Sequence, residues 1–151
     1  MIGIAVAVVI GAIVALAGSD GSTTVGWLPV FALCAGLAYL INWLVFIPSN
    51  MLQTERYFDL TGSLTYLTVT AVALLLNPEI DARAWIAGAM VAVWAARLGT
   101  FLFRRIRRDG RDGRFDEIKR DSVRFLMTWT LQGLWVLLTA ASALAIMTSL
   151  E

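Results

Sequence analysis

Long apolar runs alternate with short polar connections along this 151-residue chain, a pattern typical of polytopic membrane proteins. A helix needs about 20 predominantly apolar residues to cross the hydrocarbon core of a bilayer. Five runs approach or exceed that length. The pattern therefore predicts an all-α integral membrane protein, one transmembrane helical domain over residues 1–151, built as a bundle of about five helices. We place these helices at residues 2–18, 27–47, 58–76, 84–103 and 125–147.

Turn-forming residues set the predicted helix ends. The first run stops at a Gly-Ser-Asp-Gly-Ser cluster, residues 18–22, the second at Pro48, and the third at Asn77-Pro78. The first run carries no Lys or Arg at its start. Because a signal peptide normally has a positively charged start, we expect this helix to be retained.

Small side chains recur at every fourth position in the first and fourth predicted helices. Such strips allow membrane helices to approach one another closely. The strips predict tight packing, either inside the bundle or against a second chain. Their members are Gly3, Ala7, Gly11 and Ala15 in the first helix, and Ala84, Gly88, Ala92 and Ala96 in the fourth.

The composition excludes several classes of protein. Hydrophobic residues make up 59% of the chain and charged residues only 15%, against about 25% charged residues in an average soluble domain. These values exclude an ordinary water-soluble domain and a disordered tail. The chain has no histidine and one cysteine, Cys34. It therefore carries no Ser-His-Asp triad, and we expect no metal site built from its own residues.

Positive charge is concentrated in one segment, although the net charge is only +1. Nine of the twelve Lys and Arg residues lie within residues 104–124, which we predict to be a basic loop. By the positive-inside rule this loop and the N-terminus are cytoplasmic, in what we expect to be a bacterial inner membrane. The near-zero net charge gives no reason to expect a nucleic-acid partner.

Four polar residues interrupt the apolar runs in the same, cytoplasmic half of their helices: Asn42, Asp59, Arg97 and Gln132. A charged side chain at the centre of a membrane helix costs about 2.5–3.5 kcal/mol even on insertion scales, so it normally faces a partner or a cavity. We predict one shared polar pocket, with Asp59 and Arg97 as a natural pair. The alternative is an ion pair near the membrane surface, with Arg97 extended towards water or lipid phosphate.

The basic segment has three interpretations. Its arginines anchor the helix ends, bind anionic lipid headgroups, or hold the phosphates of a nucleotide through bidentate contacts. The candidates for phosphate or headgroup binding are Arg104, Arg105, Arg107, Arg108 and Arg111.

Four sequence blocks resemble bacterial members of the steroid 5-alpha-reductase-like superfamily, in the branch catalogued as a membrane domain of unknown function. The blocks are ERYFDLTGSLTY (55–66), WAARLGTFLFRR (94–105), DGRDGRFDEIK (109–119) and WTLQGLW (129–135). The resemblance covers about residues 50–140. It is specific in the order and spacing of the blocks.

The resemblance implies a polytopic reductase that transfers a hydride from NADPH to a conjugated carbon–carbon double bond of a lipid, such as a steroid, polyprenol or enoyl chain. Arg97 and the group Arg105, Arg107 and Arg108 look like the family's basic stretch on the cofactor side. Family members are longer, and their second half carries an Arg-His-Pro-Asn-Tyr-like motif that nothing in this chain matches.

Three functions are consistent with these observations. The first is a shortened relative that acts as a structural or accessory subunit, forming a homo-oligomer or joining another membrane subunit through its small-residue faces. The second is an NAD(P)H-dependent lipid reductase whose site is completed by another chain. The third is a lipid-binding module in which membrane lipids occupy the polar pocket.

Overall fold

The computed structural model describes residues 1–110 and 112–149, which form five long helices. The predicted all-α membrane bundle is confirmed. Four of the helices are long and apolar enough to cross a membrane, and the first, with 17 residues, is a shorter apolar helix. The helices are α1 (Ile2–Gly18), α2 (Val30–Met51), α3 (Phe58–Leu76), α4 (Ala82–Asp109) and α5 (Ser122–Thr148).

The second helix lies three to four residues later than the predicted 27–47, and the prediction that it stops at Pro48 is wrong. A short hairpin of β1 (Thr24–Val25) and β2 (Leu28–Pro29) precedes α2, and its turn contains Gly26 at a φ of 64°. At the other end α2 continues through Pro48 for three more residues. Proline removes one backbone hydrogen bond to the preceding turn, and membrane helices tolerate this loss. The Pro48 carbonyl still accepts a hydrogen bond from the Leu52 amide at 2.9 Å.

The predicted 104–124 loop is also helical at both of its ends. Arginine is a good helix former, so α4 continues through the first arginines to Asp109 and ends at Gly110, whose φ of 78° suits glycine. At 1.5 Å per residue the 28 residues of α4 span about 42 Å. This exceeds the hydrocarbon core of about 30 Å, so the helix extends beyond it. We call the end that carries the C-terminus of α4 the basic end.

The remaining connection is a folded cap, here called the cap segment (residues 112–121). It contains two short 3-10 helices, Gly113–Phe115 and Ile118–Arg120. The buried Phe115 ring lies 5.0 Å from the ring of Phe58 and 6.2 Å from that of Phe125. The cap segment therefore holds the start of α3 against the start of α5.

The strip on α1 packs within the chain around its middle, while Gly3 at its start is exposed. On α1, Ala7 and Gly11 are buried, and a Cβ on Gly11 would lie 2.7 Å from the Tyr39 ring of α2. On the same helix Ala15 is partly buried, and a Cβ on Gly3 would lie 2.9 Å from the Sδ of Met127 on α5.

The strip on α4 is buried only at its start. Ala84 and Gly88 are buried, Ala92 is half-buried and Ala96 is exposed. A spacing of four residues drifts by about 40° per step around a helix with 3.6 residues per turn. The face that stays in contact with α3 instead continues through Ala95 and Gly99.

Asn77 closes the opposite end of the bundle. Its Nδ2 donates to the carbonyls of Met147 and Ser149 at 3.0 and 3.2 Å, and its Oδ1 accepts from the Glu79 amide at 3.0 Å. One side chain therefore caps both the end of α3 and the final carbonyls of α5.

The Gly11→Ala substitution is expected to lower the free energy of unfolding by about 1–3 kcal/mol, because the added methyl group overlaps the Tyr39 ring. That ring cannot move freely, since its hydroxyl donates to the Ala7 carbonyl at 2.8 Å. Thermal unfolding in detergent measures the effect. Gly36→Ala is the matched control, because among the described residues no atom outside its own helical turn lies within 4 Å of its added Cβ. Equal melting temperatures for the two variants would contradict the packing described for α1.

Candidate ligand-binding site

Helices α3, α4 and α5 border a partly open cavity of about 390 Å³, here called the cleft. Close contacts on two sides of α4 set its shape. A Cβ on Gly99 would lie 2.7 Å from the Cβ of Ser63 on α3, and one on Gly88 would lie 3.3 Å from the Sδ of Met147 on α5. Beyond Gly88, towards the basic end, the cleft separates α4 from α5 and exposes side chains from all three helices.

The side chains that line the cleft follow helical spacing. On α3 they include Asp59, Ser63 and Tyr66, and on α5 they include Gln132 and Trp135. Residues three and four positions apart lie on one face of a helix. The spacing 59, 63, 66 was therefore a signal in the sequence for a polar face of α3 that includes Ser63 and Tyr66.

Gln132 connects α5 to the first turn of α3. Its Nε2 donates to the Phe58 carbonyl at 2.9 Å, and its buried Oε1 has no hydrogen-bond partner among the described residues. A Cβ at position 62 would lie within 2.4 Å of that Nε2. Glycine is thus required at position 62 for the amide to reach the backbone of α3.

Tyr66 presents a phenol at the wall of the cleft. Its hydroxyl is hydrogen-bonded to the Thr139 hydroxyl, which donates in turn to the Trp135 carbonyl at 2.7 Å. The Trp94 ring meets the Tyr66 ring edge to face, with centroids 4.9 Å apart. These contacts fix the phenol in one orientation between α4 and α5.

Asp59 lies at the basic end of the cleft and pairs with Arg105. The Arg105 Nη2 lies 3.3 Å from the Asp59 carboxylate and 3.4 Å from that of Asp112 in the cap segment. The predicted pairing of Asp59 with Arg97 is wrong. Arg97 lies eight residues before Arg105, about 12 Å along the helix axis, and its side chain is exposed on the outer face of α4.

Asn42 also lies outside the cleft. It is fully buried on α2, where its Nδ2 donates to the Ala38 carbonyl at 2.8 Å and to the Thr65 hydroxyl at 3.4 Å. Of the four residues predicted to share a pocket, the structure brings Asp59 and Gln132 together in the cleft and places Asn42 and Arg97 elsewhere.

A second cavity, an open surface groove of about 720 Å³ whose lining among the described residues comes from α4 alone, follows the outer face of that helix. Arg97, Arg104 and Arg108 line it, and Arg105 lies at its boundary with the cleft. Of the other predicted phosphate ligands, Arg107 points to a different side of α4, with its guanidinium 5.6 Å from the Phe103 ring centroid. Arg111 lies outside the described residues.

A buried carboxylate holds the cap segment in place. Glu55, 5% exposed, accepts from the Lys119 ammonium at 2.8 Å and from the Asp112 amide at 3.0 Å. Burial alone raises the pKa of Glu55, but the hydrogen bonds from Lys119 and Asp112 outweigh it, so the pKa lies below its usual range. Asp112 also has a lowered pKa, chiefly through its hydrogen bonds from Arg114. Both carboxylates are therefore charged at neutral pH.

Comparisons with known proteins give one match. The family model described as "Protein of unknown function (DUF1295)" matches residues 45–151, which include the cleft and the cap segment. No curated protein and no solved structure matches the chain. The described residues contain no group of three or more His, Cys, Asp or Glu side chains placed to hold a metal ion.

The Glu55→Gln substitution is expected to lower the free energy of unfolding at neutral pH by about 1–3 kcal/mol, because it leaves Lys119 without its main acceptor. Since the pKa of Glu55 is lower in the folded state, its contribution is complete above the unfolded value of about 4.3 and disappears as the pH falls through the folded value. Thermal unfolding from about pH 7 to pH 3 tests both effects.

The variant should show a shallower loss of stability in acid than the wild-type protein. Glu79→Gln, which changes an exposed carboxylate at the opposite end, is the control and should behave as wild type. An unchanged acid transition in Glu55→Gln would show that this carboxylate does not hold the cap segment.

Proposed function

The chain belongs to the DUF1295 family, and on that premise we propose that it is a membrane protein whose cleft binds an amphipathic lipid. The observation that carries this proposal is the combination of apolar walls with a few polar groups. Trp94, Leu98 and Trp135 offer apolar contact, while Asp59 and Gln132 offer polar contact towards the basic end. Small-molecule sites are typically built in this way, within cavities of about 300–1,000 Å³.

The position of the cleft supports a lipid as its ligand. Its walls belong to three helices long and apolar enough to cross a membrane. An acyl or isoprenoid chain can lie against the aromatic walls, while its polar end reaches Asp59 at the membrane surface. Apolar contact alone gives little preference over bulk lipid, because lipid tails are equally apolar. The polar groups would therefore select the ligand.

The sequence predicted an accessory role from the small-residue strips of α1 and α4, and the packing of these strips is relevant to that role. Gly11 packs on Tyr39 of the same chain, and Gly88 packs on Leu74. Gly3 and Ala96 remain exposed and Ala92 half-buried, so assembly with a second copy or another subunit, and with it the accessory role, stays a prediction.

A second function, NAD(P)H-dependent reduction of a lipid carbon–carbon double bond, is supported by the Arg97, Arg104 and Arg108 cavity beside the cleft. We propose it on this observation together with the resemblance to steroid 5-alpha-reductase-like proteins. Guanidinium groups bind phosphates by paired hydrogen bonds, so this donor set fits a dinucleotide. When bound, the dinucleotide would supply a hydride.

The residues of the cleft would prepare the lipid for that reaction. Hydride addition to a double bond conjugated to a carbonyl group places negative charge on the carbonyl oxygen. Tyr66 would donate a hydrogen bond to this oxygen once the Thr139 hydroxyl turned from the Trp135 carbonyl to donate to the phenol oxygen. Trp94 and Trp135 would exclude water, which strengthens this interaction.

To test lipid binding, Leu98→Trp is expected to reduce the lipid-bound fraction in native mass spectra about tenfold, equivalent to about 1.4 kcal/mol, because the larger side chain fills the cleft. Leu75→Trp is the control, because Leu75 is 82% exposed and lies outside the cleft. The Leu98→Trp variant must keep the melting temperature of the wild-type protein, so that its loss of lipid is not caused by unfolding. Equal lipid retention by both variants would contradict binding in the cleft.

To test reduction, NADPH oxidation is measured with a lipid enone as substrate. Tyr66→Phe is expected to lower kcat by at least about 100-fold and to leave KM nearly unchanged, because the phenol acts mainly on the charge that develops during reaction. Failure of the wild-type protein to bind NADPH at low salt, measured by fluorescence titration, would contradict the reductase proposal while leaving lipid binding intact.

A further inference from the structure

Two arginines from separate segments meet at a third cavity at the basic end. Arg56 belongs to the connection between α2 and α3, and Arg107 to the last turn of α4. With Tyr57 and Phe103 they line a cavity of about 490 Å³, which we call the arginine pocket. It shares no lining residue with the cleft or with the cavity on the outer face of α4.

Neither arginine has a carboxylate partner among the described residues, in contrast to its neighbours. Arg105 is paired with Asp59 and Asp112, and Arg114 with Asp112. Arg56 and Arg107 are both exposed, and the guanidinium of Arg107 lies over the Phe103 ring. Two like charges that face one cavity repel each other, so an anion between them is favoured by both.

The hydrogen-bond donors of the pocket suit a phosphate group. A guanidinium offers two parallel N–H donors that match phosphate oxygens, and two guanidiniums from different segments approach one anion from two directions. Tyr57, whose side chain carries a hydroxyl donor, lines the same cavity. Among the residues that the structure describes, no acidic side chain lines this pocket to compete for the guanidiniums.

The exposed apolar residues in the chain segment that leads to Arg56 indicate a lipid as the source of this phosphate. Met51 and Leu52, 78% and 72% exposed, precede Arg56 in the same connection. Exposed apolar side chains beside Tyr and Arg are typical of the membrane surface, where headgroup phosphates lie. A soluble anion has no apolar part that could contact Met51 and Leu52, whereas a phospholipid has acyl chains.

We propose that the arginine pocket binds the phosphate of an anionic phospholipid from the surrounding bilayer. Arg56 and Arg107 hold the phosphate from two sides, Tyr57 contacts the headgroup, and the acyl chains lie along the exposed residues Met51 and Leu52. The site is independent of any ligand in the cleft.

The test is native mass spectrometry of the detergent-purified chain titrated with phosphatidylglycerol or phosphatidylcholine. The wild-type protein is expected to bind phosphatidylglycerol at least about tenfold more tightly. Arg56→Gln and Arg107→Gln should each weaken that binding about tenfold, the loss of roughly one charged hydrogen-bonding contact of 1.4 kcal/mol. Arg107→Lys, which keeps the charge, should lose less.

Arg124→Gln is the matched control, because it removes the same charge from an exposed position on the first turn of α5, outside the pocket. An equal loss in this variant, or equal binding of the two lipids, would overturn the proposal by showing general attraction to charge. Displacement of the lipid by an equal concentration of inorganic phosphate would also overturn it, since the site would then recognise a soluble anion. Thermal unfolding of each variant separates loss of binding from loss of fold.

Discussion

Glycines determine how closely α3 approaches α4 and α5, and the other features of the bundle depend on that distance. Gly99 of α4 lies against Ser63, and Gly62 of α3 admits the side chain of Gln132. Without water in the hydrocarbon core, polar groups must find partners inside the protein. Close approach makes this feasible, because Gln132 reaches a carbonyl on α3 and Tyr66 reaches Thr139 on α5. The same contacts that stabilise the bundle thus place polar groups around the cleft.

The cap segment and the cleft share their charged residues. Arg105 touches Asp59 at the cleft and Asp112 in the cap segment, while the Asp112 amide donates to Glu55. This chain of contacts joins α3 and α4 to the cap segment and to the connection between α2 and α3. A change at the cleft that displaced Asp59 would leave Arg105 paired with Asp112 alone, so the cap segment would lose its link to α3 through Arg105.

The fold followed from the sequence more completely than the site did. Apolar runs located the helices within a few residues, because helix length in a membrane is fixed by bilayer thickness. The pairing of Asp59 was predicted with Arg97 instead of Arg105, because α4 was expected to end at residue 103 and the next arginines were assigned to a loop. Asn42 and Gln132 were predicted to lie at a similar depth in the membrane, but Asn42 bonds to its own helix α2 and Gln132 bonds to α3. Depth can be counted along a sequence, whereas the direction of a side chain depends on the packing of whole helices.

The folded cap segment changes how a ligand would be selected. Phe115 lies over Phe58, and Arg105 and Asp112 lie beside Asp59, so the polar end of the cleft is bordered by protein. A lipid would then enter sideways from the bilayer, and its relevant concentration would be its mole fraction among other lipids. Competition would come from every membrane lipid that can enter between α4 and α5. A rare lipid could occupy the cleft only if its headgroup matched Asp59, Gln132 and Tyr66 better than the headgroups of the abundant lipids around it.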